Sequence, residues 1–164
     1  MDKFFYLHIP KTAGNFFNKF LSYQFNSFID HIEVKKNLHN EKDIEELQNF
    51  ECYSGHIQFP IAKNKLDIEK RKTITILRNP IEQVISHMTF VRELAEDGEK
   101  ERFKSHAKVI QEIAKKLHQT DLSNSKKIEK FINWLEKNEI WLFHDCQTRY
   151  LTIQQVVILC NTAK

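Results

Sequence analysis

Glycine is scarce in this 164-residue chain, which has three, and proline, cysteine and methionine are equally sparse at three, three and two. The cysteines, Cys52, Cys146 and Cys160, are odd in number and lack zinc-type spacing. Neither a disulfide framework nor a metal site is therefore expected, and a reducing, cytoplasmic compartment fits best. No apolar run approaches the ~20 residues of a membrane span, and the N-terminus lacks a basic, cleavable leader, so a soluble protein without a membrane partner is expected. An excess of one charge is also missing. Lys and Arg number 25 against 22 Asp and Glu, a net +3, and no basic block reads as a nucleic-acid arm, so an anionic partner must be met locally. What remains, 41% hydrophobic and 29% charged, is a globular composition at the length of one domain, 1–164.

The pattern along the chain is α/β, without repeats or low-complexity linkers. Phe4, Phe5, Tyr6, Leu7 and Ile9 form a short apolar run, expected of a strand buried on both faces of a parallel sheet. After the turn Pro-Lys-Thr-Ala-Gly, Asn15 is a good N-cap for a helix carrying Phe16, Phe17, Phe20 and Leu21. An extended patch is expected over 28–34, a charged helix over 41–48 and a strand over 51–55. The next strong strand is TITIL, 73–77, leading into Arg78-Asn79-Pro80. There a helix begins, with Asn79 as cap, Pro80 at the first position and a buried stripe of Ile81, Val84, Ile85, Met88, Val91 and Ala95. One amphipathic helix is read through 103–117 and another through 128–135, with helical continuation over 140–151 and a strand at 156–159.

Two strand-to-helix junctions carry polar residues at the carboxyl ends of expected buried strands, where open α/β sheets bind ligands. At the first, unpaired helix-start amides can surround an anion, Lys11 adds charge and Thr12 a hydroxyl. At the second, Arg78 offers a phosphate-gripping guanidinium, and Ser86, seven residues after Asn79, returns to nearly the same helix face. Taken singly, each junction reads as readily as a plain turn or helix start, and the first departs from the Walker pattern because Lys11 precedes Gly14. Together they suit a ligand with phosphate at two places.

HIPKTAGN, then SGH, then TILRNPIEQVISH resembles the carbohydrate sulfotransferases related to heparan sulfate 2-O-sulfotransferase, over about the first 150 residues. The resemblance implies a three-layer, P-loop-like α/β domain, with a mainly parallel central sheet flanked by helices and part of the family's C-terminal region lacking. It also implies sulfuryl transfer from 3′-phosphoadenosine 5′-phosphosulfate (PAPS) to an acceptor hydroxyl, expected to be a saccharide's, leaving 3′-phosphoadenosine 5′-phosphate (PAP). Lys11, Thr12, Ala13, Gly14 and Asn15 would meet the phosphosulfate, Arg78 and Ser86 the 3′-phosphate, and His56 would be the acceptor's base, with no metal. Lys11 would also stabilise the leaving oxygen, so that Lys11 and His56 are the expected catalytic pair. Gln83 stands where relatives often carry arginine, and DCQTRYL, 145–151, also resembles a family stretch without giving Arg149 a role. The remaining histidines, His8, His31, His39, His87, His106, His118 and His144, are expected to be packed or surface residues. Two other readings compete: a P-loop nucleoside or nucleotide kinase, which should need Mg²⁺ and ATP, and a non-catalytic nucleotide-binding or interaction protein.

Overall fold

Four short strands, β1 (Phe4–Leu7), β2 (Phe28–Ile29), β3 (Cys52–Gly55) and β4 (Lys72–Thr75), form an all-parallel sheet in the order β2-β3-β1-β4. This computed structural model describes residues 2–96 and 100–152. They fall into two compact units: the sheet-bearing residues up to Asn79 together with those from Asp145, and Pro80–His144.

Alternation along β1 and β3 divides the first unit into layers. Phe5, Leu7 and Tyr53 point to one face, packing with Ile32 of α2 (Ile32–Lys35), Leu47 of α3 (Glu41–Leu47) and Ala62 of α4 (Phe59–Lys65). Tyr6 and Cys52 point to the other, against Leu21 and the partly buried Phe17 of α1 (Gly14–Gln24). Helices therefore cover both faces, as burial of β1 on two sides requires. β4 is less buried than its apolar reading suggested. Lys72 and Thr73 are exposed, because β4 pairs with β1 and has no second strand neighbour among the described residues. The extended patch at 28–34 is only partly strand, since it turns into α2 at Ile32.

The amino ends of the strands are tied by Arg71. Its guanidinium is buried, donates to the carbonyls of Phe50 (3.0 Å) and Leu47 (3.1 Å), and lies 4.2 Å from the Tyr53 ring centroid. Carbonyls at the end of α3 and just before β3 thereby gain a buried donor without water.

The second unit is helical: α5 (Pro80–Glu93), α6 (Lys100–Ser105), α7 (Lys108–His118) and α8 (Ser125–Lys137), with a core of Val91, Leu94, Ile113, Ala114, Leu117, Phe131, Leu135 and Phe143. Three expectations are corrected here. The stripe of α5 is rotated: Gln83, His87 and Val91 are buried, whereas Ile81 and Ile85 are exposed. The helix read through 103–117 is two helices. His106 Nδ1 donates to the Arg102 carbonyl (2.6 Å) and Gln111 Nε2 to the His106 carbonyl (2.7 Å), so side chains take the backbone acceptors that a continuous helix would use. Nor does helix run through 140–151. Glu139 takes a left-handed conformation (φ 54°) and Ile140 N donates to Leu135 O (2.9 Å), the bond that closes a Schellman stop. Helix resumes only at α9 (Cys146–Leu151), in the first unit. The strand expected at 156–159 lies outside the described residues. No helix among those described is long and apolar enough to cross a membrane.

Candidate functional site

Pairing of Leu7 with both Gly55 and Thr75 brings the exits of β3, β1 and β4 side by side. His8 extends the pairing by one residue, its amide donating to Gly55 O (3.0 Å). The chain then turns through Pro10 and two left-handed residues, Lys11 (φ 65°) and Ala13 (φ 67°), while the buried Thr12 hydroxyl donates to Ile9 O (2.9 Å). Such conformations cost roughly 1–3 kcal/mol each for residues with a Cβ, and they cluster where structure holds a functional loop in place. Helix α1 starts at Gly14, with Ala13 in the cap position and no side-chain cap. The expected N-cap, Asn15, lies instead inside the first turn, because the double left-handed turn brings the chain into helix two residues sooner. The first intrahelical bond runs from Phe17 N to Ala13 O (3.1 Å), so the amides of Gly14, Asn15 and Phe16 precede it and can meet an anion.

The β4 exit is bound to this loop. Arg78 Nη1 donates to Lys11 O (3.4 Å), and the Gln147 amide of α9 holds the Arg78 main chain from both sides, accepting from its N–H (2.9 Å) and donating to its carbonyl (2.8 Å). Arg78 is itself exposed. Gln147 lies in the DCQTRYL stretch, but no sequence signal distinguished it from its neighbours there. Arg149, on the same helix, is half-buried. Ser86 lies on α5 of the second unit, half-buried.

At the β3 exit, the expected base His56 has unforeseen company. His8 and His31, both read as ordinary packing or surface residues, surround it: ring centroids are 4.0 Å apart for His8 and His56, 5.4 Å for His8 and His31, and 5.3 Å for His31 and His56. The cause is long-range. Parallel pairing sets His8 beside His56, and a left-handed residue (φ 49°) before α2 puts His31 alongside. Both described glycines make the cluster possible. A Cβ on Gly14 would stand 1.6 Å from His8 Nε2, and one on Gly55 would stand 2.7 Å from Glu33 Oε2. Glu33 uses that space to accept from the His56 amide (3.0 Å) and to meet His31 Nδ1 (3.3 Å), while His56 Nδ1 donates to His8 O (2.7 Å).

Burial, reinforced by repulsion from His56 and His31, pushes the His8 pKa down to about 3, with Asp30 opposing. Burial also lowers that of His56, against the pull of Glu33 and the bond to the His8 carbonyl. Both imidazoles are thus neutral near pH 7. With Nδ1–H committed to a carbonyl, His56 keeps the lone pair of Nε2 as its acceptor. His56 also lines a surface cavity of about 420 Å³, shared with His39, Gln58, Lys65 and Tyr150. No family model, curated protein or solved structure matches this chain.

Proposed function

We propose that this P-loop-like domain is a sulfotransferase that takes a sulfuryl group from PAPS to a hydroxyl of an acceptor, a saccharide by the resemblance noted above. One observation carries the reading: the Lys11 loop and Arg78 leave adjacent strands, β1 and β4, and are joined by the Arg78 to Lys11 hydrogen bond. Both exits lie at the carboxyl end of the parallel sheet, where open α/β sheets bind ligands.

The residues present suit the donor. The first-turn amides of Gly14 and Asn15, with Lys11, offer an anion site, Ala13 shapes the turn that aims them, and Thr12, expected to meet the phosphosulfate, instead spends its buried hydroxyl proton on Ile9 O and so braces the loop. Arg78 is assigned to the 3′-phosphate. PAPS supplies the transferable sulfuryl group; the protein's part is positioning, charge and a proton acceptor. Lys11 would stabilise charge on the leaving oxygen, and His56 Nε2 would accept the proton of a hydroxyl reaching it from the surface cavity.

Calorimetry with PAP, compared with ATP and Mg²⁺, tests the donor class. PAP is expected to bind more tightly and without metal; preference for ATP with Mg²⁺ would turn the assignment towards a kinase. Lys11→Ala should lower kcat by more than it weakens PAP binding, because PAP lacks the sulfuryl group. Equal losses in both would reduce Lys11 to an affinity contact.

A further inference from the structure

The three histidines have the arrangement of a ligand set. One ring nitrogen from each of His8, His31 and His56 lies within 4.8 Å of the others. A four-coordinate zinc ion holds imidazole nitrogens at about 2.0–2.1 Å, which puts ligand nitrogens roughly 3.3 Å apart and ring centres roughly 5 Å apart. The centroid separations of 5.4 and 5.3 Å that involve His31 already match; the 4.0 Å pair of His8 and His56 must open by about 1 Å.

Two further observations point the same way. His8 is only 3% exposed, yet its Nδ1 is buried without a hydrogen-bond partner. A buried polar nitrogen left unsatisfied costs about 1–3 kcal/mol, and a bound ion could remove that cost. His31 and His56 also have the outer partners that metal-bound imidazoles use. A carboxylate and a carbonyl can only accept, so Glu33 fixes the proton of His31 on Nδ1 and His8 O fixes that of His56 on Nδ1. Each Nε2 is then left as a lone pair.

We infer that His8, His31 and His56 form a binding site for a borderline divalent transition ion of the zinc class, with Glu33 as outer partner and a fourth position open to water or a small ligand. Three imidazole nitrogens select such ions over Mg²⁺ or Ca²⁺, which prefer oxygen. The site goes beyond the donor reading and does not rest on it. The two meet at one atom: a metal on His56 Nε2 and a proton acceptor there exclude each other, so zinc would suppress any transfer that uses His56.

The test uses the full chain stripped with chelator, titrated with Zn²⁺ by calorimetry and with Co²⁺ by visible spectroscopy. One ion per chain and a tetrahedral Co²⁺ spectrum are expected. His31→Asn removes the imidazole but tolerates the left-handed backbone, and should weaken Zn²⁺ binding by more than the ~10- to 100-fold expected of Glu33→Gln. Circular dichroism checks that both variants fold, and Glu33→Gln retains all three imidazoles if His31→Asn does not fold. No Zn²⁺ binding, an octahedral Co²⁺ spectrum, or equal affinity in wild type and both variants would overturn the site. PAP calorimetry on the same samples separates the two readings: PAP binding without Zn²⁺ binding removes only the metal site, and the reverse result removes only the donor assignment.

Discussion

The two ends of the sheet hold their charged residues in opposite ways. At the amino end, Arg71 is buried and its guanidinium is spent on main-chain carbonyls and the Tyr53 ring. At the carboxyl end, Arg78 is exposed and is held through its main chain by Gln147, while Lys11 and Ala13 sit in left-handed backbone and three imidazoles crowd together. The same residue type, one position before β4 and three after it, thus closes one end and equips the other. Hydrogen bonding to main-chain carbonyls at the amino end stabilises the fold; left-handed backbone at the carboxyl end is strain of the kind a binding site retains.

The largest expected effect breaks the carboxyl end alone. His56→Ala should lower transfer by ~10²- to 10⁴-fold while leaving PAP affinity nearly unchanged, because a general base contributes to the chemical step and not to donor binding. Transfer assays and calorimetry on one preparation check this. Normal turnover in the folded variant would remove His56 from the chemistry. The amino end should respond in the opposite sense. Arg71→Ala removes the guanidinium bonds to the carbonyls of Phe50 and Leu47, the latter keeping the Phe50 amide as donor, a loss of about 3 kcal/mol in chemical denaturation, yet the variant that remains folded should bind PAP as wild type does. Weakened PAP binding in proportion to lost stability would show that the two ends are not separable.

Histidine titration gives a smaller effect. His8 has a folded pKa of about 3 and an unfolded value near ~6.5. Between these values the unfolded chain binds a proton that the folded one refuses, so stability is full above pH ~6.5 and is lost as pH falls towards 3. His56 is shifted in the same direction. Chelator-treated protein should lose about 2 kcal/mol between pH 6.5 and 5 from His8 alone. Urea midpoints measured at both pH values decide it: His8→Gln should flatten the dependence, and an unchanged slope in that variant would place the titration elsewhere.

What could be read from the sequence was local. The strand at 4–7, the loop after it and the Arg78-Asn79-Pro80 junction were legible because a few adjacent residues carry the turn chemistry and the apolar run. The histidine cluster was not legible. Its members come from residues 8, 31 and 56, and what joins them is a parallel register, the left-handed backbone of His31 before α2 and the missing Cβ of Gly14. The rotated face of α5 failed differently. Ile81 and Ile85 fit the helical period, but apolar spacing cannot foresee that Gln83 and His87 are the buried residues, with His87 packed edge-on against Phe143. The break between α6 and α7 was likewise missed because side-chain bonds to single carbonyls leave no periodic trace.

The smallest expected effect tests how the carboxyl end holds Arg78. Gln147 makes two hydrogen bonds to its main chain, and water can replace both at this exposed site, so Gln147→Ala should hardly change the melting temperature. What it should change is the order of Arg78. Losing one net contribution of about 1 kcal/mol predicts PAP binding weaker by roughly 3- to 10-fold, with adenosine 5′-phosphate, which lacks the 3′-phosphate, scarcely affected. Gln147→Glu separates the two bonds, since a carboxylate still accepts from the Arg78 amide but has no proton for its carbonyl. It also adds a negative charge near the guanidinium, which should weaken PAP further than loss of one bond alone. The Ala variant therefore measures the positioning and the Glu variant the field. If both bind PAP as tightly as wild type, or if adenosine 5′-phosphate loses as much as PAP, Gln147 does not position a 3′-phosphate contact, and Arg78 is an ordinary exposed charge at the head of α5.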